Sequence, residues 1–563
     1  VKHALAARCG VRGTTLLVLL AALCALIAAV PNALAQEPLR TWGGSTTPPG
    51  AQGTPDPQEA TTADEPAAPA PPAPPVTVGT PTEGSASAIL PRTRVEDEGA
   101  GVVRTPGRIG LRYTLEGIEV RGNTATLSRV VLRYVPFHPG DTIDVDDKEL
   151  ELTRFRLLGT GFFRDAELSL RRGSKRGQVV LVVTVVERFT LVVNDVWLGL
   201  SADAQANGAS RPLTAYGGLD VSDTNLAGTG ITVGGALALA EGQLALRARF
   251  VDPNFLGSSW TAEATLLYNN ARDYFGNRDV LVDYASGEVA QDYAVVSYKR
   301  FGGFVGAGHD LGVSTQLFVD YRLEKIDATL PLAASDLRGL DVEPIDFQID
   351  RGSSVLSAVR ATLQHDTRDE PTLPTRGDNL VMIADLAAEP IGSDYGFLKL
   401  QARAEHWFRL PWGHVVRLEG FAGGIFGDAP FFEKFYVGDF SDLLPDRVLG
   451  LNVDRRPAPN YLNTDIREVR YGSYAAKLNV EYRYPLYHGH RSIYGVDAFV
   501  SGGIYGVADG RDLTSPPRGY SGFATAPIDL TFNLGLRVDT EVGGFLLGVS
   551  NILGFLPIRG DAK

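Results

Sequence analysis

The densest run of groups able to exchange protons or pair as ions is Asp366-Thr367-Arg368-Asp369, followed by Pro374-Thr375-Arg376-Gly377. Paired carboxylates are the raw material of general acid–base chemistry. These stand between two segments that alternate apolar and polar residues, which reads as strand, Pro/Gly turn and return strand. A turn joining two strands gives Asp366, Arg368, Asp369, Pro374 and Gly377 a structural task, and no catalytic role is assigned to them.

Other candidate chemistry fares no better. Asp144, Asp146 and Asp147 form an acidic run, but the Gly and distal Glu of a calcium loop are missing, so a solvated helix start is expected. His488 and His490 flank a glycine in an expected turn and are read as surface residues. Gly228-Thr229-Gly230 lacks the βαβ surroundings of a nucleotide loop. The chain has no GxSxG, Walker or HExxH motif. Arg559-Gly560-Asp561 is a chance tripeptide near the end. The expectation is therefore no enzyme, with catalytic residues none, cofactors none and metal ligands none.

The elements around these residues say more. The chain has 563 residues, 63 of them glycine, and a net charge of −13. That length suggests more than one domain. The charge argues against nucleic acid, whose phosphates need clustered Lys and Arg. Residues 1–35 read as a signal peptide. Lys2, Arg8 and Arg12 precede the apolar run Thr14–Val30, and Ala33-Leu34-Ala35 forms an A-x-A cleavage site. The alternative is one uncleaved membrane helix. Both cysteines, Cys9 and Cys24, lie inside this segment, so the mature chain would have neither disulfides nor cysteine ligands. Residues 36–108 are rich in Pro, Ala and Thr and cannot bury a core. A coil of roughly 73 residues would span about 50 Å, as a bare spacer or as a segment with a partner.

Residues 109–189 read as a small β-α-α-β-β unit. Tyr113–Arg121 is an expected strand. Leu127, Val130, Val131 and Tyr134 mark one helix face, and Leu150, Leu157 and Leu158 a second, with Asp144 as its N-cap. Two strands follow, about 166–172 and 179–187. Residues 190–563 show dyad alternation instead. Leu478, Val480, Tyr482 and Tyr484 alternate with Lys477, Asn479, Glu481 and Arg483. The runs 243–250, 398–405 and 529–539 behave alike. An antiparallel transmembrane barrel would turn the apolar set to lipid and the charged set to a wet lumen. Roughly 374 residues at about 23 per strand and connection allow about sixteen strands.

Several stretches resemble the BamA/TamA superfamily of outer-membrane assembly and translocation proteins, with its surface-antigen-type barrel. Ile118–Asn123, Leu158–Phe163 and Val182–Glu187 resemble one POTRA domain. Asp223–Gly230, Asp252–Gly257, the 366–377 tract and Phe431–Asp439 resemble barrel words of the family, in family order. The resemblance implies an outer-membrane location in a Gram-negative bacterium, with the POTRA domain and linker in the periplasm. It implies clients that are unfolded or nascent outer-membrane polypeptides, received by β-augmentation. It also implies contact with outer-membrane lipid and with other periplasmic assembly proteins. A single POTRA repeat points to an accessory paralogue.

The resemblance further implies a long loop folded inward as a lid, whose arginine meets wall carboxylates. Here Arg447 stands two residues early relative to Gly450, and Glu481 is its expected partner; the alternative leaves Arg447 as a solvated loop residue. Ser501 stands where the family has a second acidic residue, and Leu556–Lys563 follows the last strand-like segment where the family ends on an aromatic. The competing expectation is a passive pore or structural surface protein that keeps the fold without assembly activity.

Overall fold

The computed structural model describes residues 112–551, apart from 145–147, 205–209, 276–281, 284–287, 290–293, 313, 332–333, 371–372, 439–446, 454–458, 490–491 and 541. The expected signal peptide, the linker, Asp146, Asp147, His490 and the tail from 552 lie outside the described residues.

A small domain comes first: β1 (Arg112–Arg121), α1 (Ser128–Arg133), β2 (Thr142–Asp144), α2 (Lys148–Gly159), β3 (Phe163–Arg172) and β4 (Gln178–Glu187). The sheet order is β2-β1-β4-β3, with β1 parallel to β4. The Val/Leu-rich β4 is central and supplies Leu181, Val183 and Val185 to a core shared with Val131, Leu157 and Phe162. Two details differ from the sequence reading. Asp144 closes a three-residue strand instead of capping a helix. That strand is too short to carry a period and forms by pairing with β1. The Leu127 side chain is exposed, while its backbone N–H donates to Gly228 O of the barrel.

Fifteen strands make the barrel. They are β5 (Leu191–Ala204), β6 (Ser210–Asp223), β7 (Thr232–Ala240), β8 (Gln243–Asp252), β9 (Trp260–Phe275), β10 (Ala294–Gly312), β11 (Thr315–Thr329), β12 (Gly352–Asp366), β13 (Gly377–Ala387), β14 (Gly396–Arg409), β15 (Val415–Asp428), β16 (Tyr474–His488), β17 (Ile493–Ala508), β18 (Ile528–Thr540) and β19 (Gly543–Ser550). Each pairs antiparallel with the next.

The wall inverts the burial rule of soluble proteins. On β16, Lys477, Glu481 and Arg483 are 3%, 2% and 1% exposed, while Leu478 and Val480 are 60% and 50% exposed. Charges face inward and apolar side chains face out, the arrangement that lipid around a wet lumen demands. Among the described residues no helix is long and apolar enough to cross a membrane. Most of the strands reach the length that a tilted crossing needs, about 9–11 residues.

The described strands number fifteen, in line with the expected about sixteen, and vary in length from 8 residues in β19 to 19 in β10. An odd count makes the first and last strands, β5 and β19, run in the same direction. Neighbouring strands elsewhere share full ladders. Among the described residues, β5 and β19 meet through one backbone hydrogen bond beside β19, from Val193 N–H to Val542 O at 3.0 Å.

Candidate functional site: a filled lumen and a covered rim

The connection between β15 and β16 leaves the barrel at the end away from the small domain and folds back into the lumen. Its entry is Phe431-Phe432-Glu433, all buried. Phe432 stacks on Tyr298 of β10, with ring centroids 5.5 Å apart. The Arg300 guanidinium lies 4.5 Å from the Phe432 ring centre on its other contact. Glu433 accepts from Arg322 of β11 at 2.8 Å, and Arg322 also holds Glu324 at 2.5 Å. These side chains are 3% exposed or less, so the entry is fixed by a paired, water-poor charge cluster.

The loop then crosses the lumen. Asn269 of β9 donates to Leu449 O at 3.1 Å, and Gln243 of β8 donates to Asn452 O at 3.0 Å. Further along, Tyr461 N–H and Leu462 N–H donate to Asp529 of β18, at 3.1 and 3.0 Å. Strands β9 and β18 stand on opposite sides in the strand order, so the loop spans the barrel. Beyond them Asp465 is 1% exposed, and neither of its carboxylate oxygens has a hydrogen-bond partner. Burial first, then the Asp512 carboxylate nearby, push Asp465 up to about 7; Arg338 opposes this and Glu468 adds to it.

The structure does not bring Arg447 and Glu481 together. Arg447 donates to Asp273 of β9 at 3.4 Å and to Phe432 O at 3.3 Å, and lies over the Tyr436 ring at 5.0 Å. Asp273 is fully buried and also accepts from Tyr298 at 2.9 Å, from Asn452 at 2.9 Å and from Tyr471. Glu481 is taken by Arg537 of β18 at 2.6 Å and flanked by Arg483 at 3.7 Å. Ser501 sits opposite Glu481 in the ladder and accepts from Asn533 at 3.1 Å. Sequence reading missed Asp273 because β9 breaks its alternation at Ala271-Arg272-Asp273-Tyr274-Phe275.

The 366–377 tract is the turn between β12 and β13, at the barrel end that carries the small domain. Asp366 binds Arg368 at 2.6 Å. Asp369 accepts from Thr375 N–H at 2.8 Å, from its hydroxyl at 2.5 Å and from Arg376 N–H at 3.2 Å. Pro374 O accepts from Arg483. Gly377 has φ +109, and a Cβ there would stand 2.3 Å from Thr367 O, so glycine is required. The carboxylates are consumed in holding the turn.

The small domain covers this same end. Arg156 of α2 pairs with Asp310 of β10 at 2.6 Å. Arg133 reaches Ser258 O and Thr261 Oγ1 at 3.5 and 3.4 Å. Arg376 of the tract lies 5.9 Å from the Phe155 ring centre, and Arg164 lies 5.7 Å from that of Tyr494 on β17. These contacts follow the rim from the β8–β9 turn round to the start of β17.

Two rim turns share one backbone. In Asp223–Thr229 and Asp252–Ser258 the Asp accepts from the Asn N–H at 3.0 and 2.9 Å. Ala227 and Leu256 are both left-handed, at φ 51 and 53, and Gly228 and Gly257 follow at φ 75 and 77. The first turn is docked: Asn225 donates to Thr126 Oγ1 at 2.7 Å, and Leu127 N–H donates to Gly228 O at 2.9 Å. The space beside Gly257 is open.

Among the described residues no cluster of three or more His, Cys, Asp or Glu could hold a metal. Residues 225–443, which run from the docked turn to the loop entry, match the family model of the Omp85 superfamily domain. Residues 225–443 resemble an Omp85 superfamily domain. A curated relative is the outer membrane protein assembly factor BamA of Nitratidesulfovibrio vulgaris (strain Hildenborough). It is 21% identical over 345 residues, 58% of this chain and 36% of the relative. The matched region thus spans about a third of that relative's length. Solved structures similar to this chain include BamA from Haemophilus ducreyi lacking POTRA domains 1–3, with TM-score 0.43 and 14% identity over 80% of this chain and 82% of that one. CdiB from Escherichia coli is another, with TM-score 0.48 and 12% identity over 78% and 74%. The superfamily match and the fifteen-strand wall describe an outer-membrane β-barrel.

Proposed function

We propose that this protein is a member of the Omp85 superfamily that inserts or translocates polypeptides at the outer membrane of a Gram-negative bacterium. In this reading residues 109–189 are one POTRA domain on the periplasmic side, behind a signal peptide at 1–35 and a linker at 36–108. Clients are unfolded or nascent outer-membrane polypeptides. Strand β2 stands at the edge of the small sheet, and backbone N–H and C=O groups on a sheet edge accept an added strand from many sequences. Lipid surrounds the wall, and other periplasmic assembly proteins are candidate partners.

The observation that carries the reading is the contrast between continuous ladders around the wall and a single backbone bond between β5 and β19 among the described residues. A full ladder between first and last strands removes the exposed edge of a barrel. A seam with fewer described bonds than the rest of the wall suits a protein that offers strand edge to clients. Depletion of the protein, followed by measurement of other outer-membrane proteins, tests this. Their levels should fall. Unchanged levels together with altered solute permeability would favour the passive pore instead.

A further inference from the structure

The last residue of β4 and the residue after it face opposite partners, as neighbours on extended chain must. Glu187 turns into the small domain. Its carboxylate accepts from Thr124 N–H at 2.9 Å, Thr124 Oγ1 at 2.6 Å, Ala125 N–H at 3.0 Å and Thr126 N–H at 2.6 Å. That segment is the one docked on the barrel through Thr126 and Leu127. Arg188 turns the other way. Its guanidinium donates to Asp539 Oδ1 and to Thr540 O, both at 2.9 Å, and lies 5.5 Å from the ring centre of Tyr494. The Arg188 and Asp539 side chains are 12% and 9% exposed. Arg188 precedes the first barrel strand by three residues and grips the end of β18, the strand before the last. Its own N–H is held by Phe162 O at 2.8 Å. One short joint therefore spans the seam and is fastened to the domain on its other side.

We infer that Arg188 is a positioning residue through which the seated small domain keeps the domain-side end of the seam shut. With the domain docked, the guanidinium holds the β18–β19 hairpin against the start of β5. Undocking withdraws it and weakens a seam at which, among the described residues, the Val193–Val542 backbone bond is what remains. The inference deepens the proposed function by naming what controls access to the strand edge, and it rests on that reading for its meaning. The fork geometry matters: a lysine keeps the charge but cannot bind carboxylate and carbonyl together over an aromatic ring.

The test uses the full chain in native membranes, with cysteines introduced as Val193→Cys and Val542→Cys and the seam followed by disulfide formation. Adding Arg188→Ala should lower the fraction closed at equilibrium by about tenfold, the scale of one charge-assisted contact. Arg188→Lys should fall between the two. The swap Arg188→Asp with Asp539→Arg should restore closure, which a purely structural loss would not allow. Glu187→Gln should also lower closure, although Glu187 does not touch the seam. Unchanged closure in Arg188→Ala, or no recovery in the swap, overturns the inference. Should Arg188→Ala fail to fold, the lysine variant and the swap decide alone. The readout needs no client, so its failure is separate from a depletion experiment that finds no effect on outer-membrane protein levels.

Discussion

The luminal loop and the small domain occupy opposite ends of one barrel and are held in contrasting ways. The loop is fastened by ion pairs with almost no water contact: Arg322–Glu433 at 3% and 0% exposure, Arg447–Asp273 at 8% and 0%. The domain is fastened by one buried hydrogen bond between neutral groups, Asn225 to Thr126, and by an ion pair that water reaches, Arg156–Asp310 at 16% and 21%. Deleting one partner of a buried pair strands a charge in a poor solvent, whereas deleting one partner of a wet pair leaves water to replace it. The loop is therefore the fixed closure and the domain the movable one.

The largest expected effect is at the loop entry. Arg322→Ala leaves Glu433 and Glu324 short of their shared cation, so the barrel should lose about 3–5 kcal/mol. Urea unfolding followed by heat-modifiable gel mobility measures this; a loss no larger than that of a rim variant would erase the contrast. Arg447→Ala should cost less, about 2–3 kcal/mol, because three neutral donors still serve Asp273. It should open the loop to protease, while Glu481→Gln should leave loop protection unchanged. Equal exposure in both would restore the pairing expected from sequence. Arg156→Ala should cost about 1 kcal/mol or less, yet raise ion conductance through the purified protein by letting the domain lift. Unchanged conductance would mean that the domain does not govern that opening.

Acid and base should separate the two ends in opposite directions. Burial, the largest single influence on Glu187, raises it, but the hydrogen bonds from Thr124, Ala125 and Thr126 together outweigh burial and hold the carboxyl at about 2, against 4.5 ordinarily. Its stabilisation is present above pH 4.5 and is lost as pH falls towards 2. Asp465 is raised from 3.8 to about 7, so the folded loop binds the extra proton. Its contribution is full below pH 3.8 and is lost as pH rises through 7. Limited proteolysis across pH should show the domain turn loosening in acid and the loop segment loosening towards neutrality. Parallel trends would show that neither group controls its end.

How much of this was legible in the sequence depends on reach. Alternation at 477–484 gave the wall and its inward charges, since side-chain direction on a strand is a local property. The 366–377 tract read as a turn because proline and glycine act within a few residues. The partner of Arg447 did not read, because Asp273 lies 174 positions away and the distance across a barrel is set by strand number and tilt. Arg188 gave no signal at all: a lone arginine after a strand means something only once the last hairpin is beside it. The strand count fell between, as length bounds it but cannot apportion it.

The twin rim turns carry one more consequence. Gly228 and Gly257 donate their amides to Asn225 O and Asn254 O at 2.8 and 2.9 Å within nearly identical backbones. One turn is docked against the domain through Thr126 and Leu127, and the other meets it only through the long Arg133 contact to Ser258 O among the described residues. Deuterium uptake at Gly257 is then an internal standard for uptake at Gly228. Their ratio reports, inside a single molecule and without any mutation, how often the domain leaves its seat.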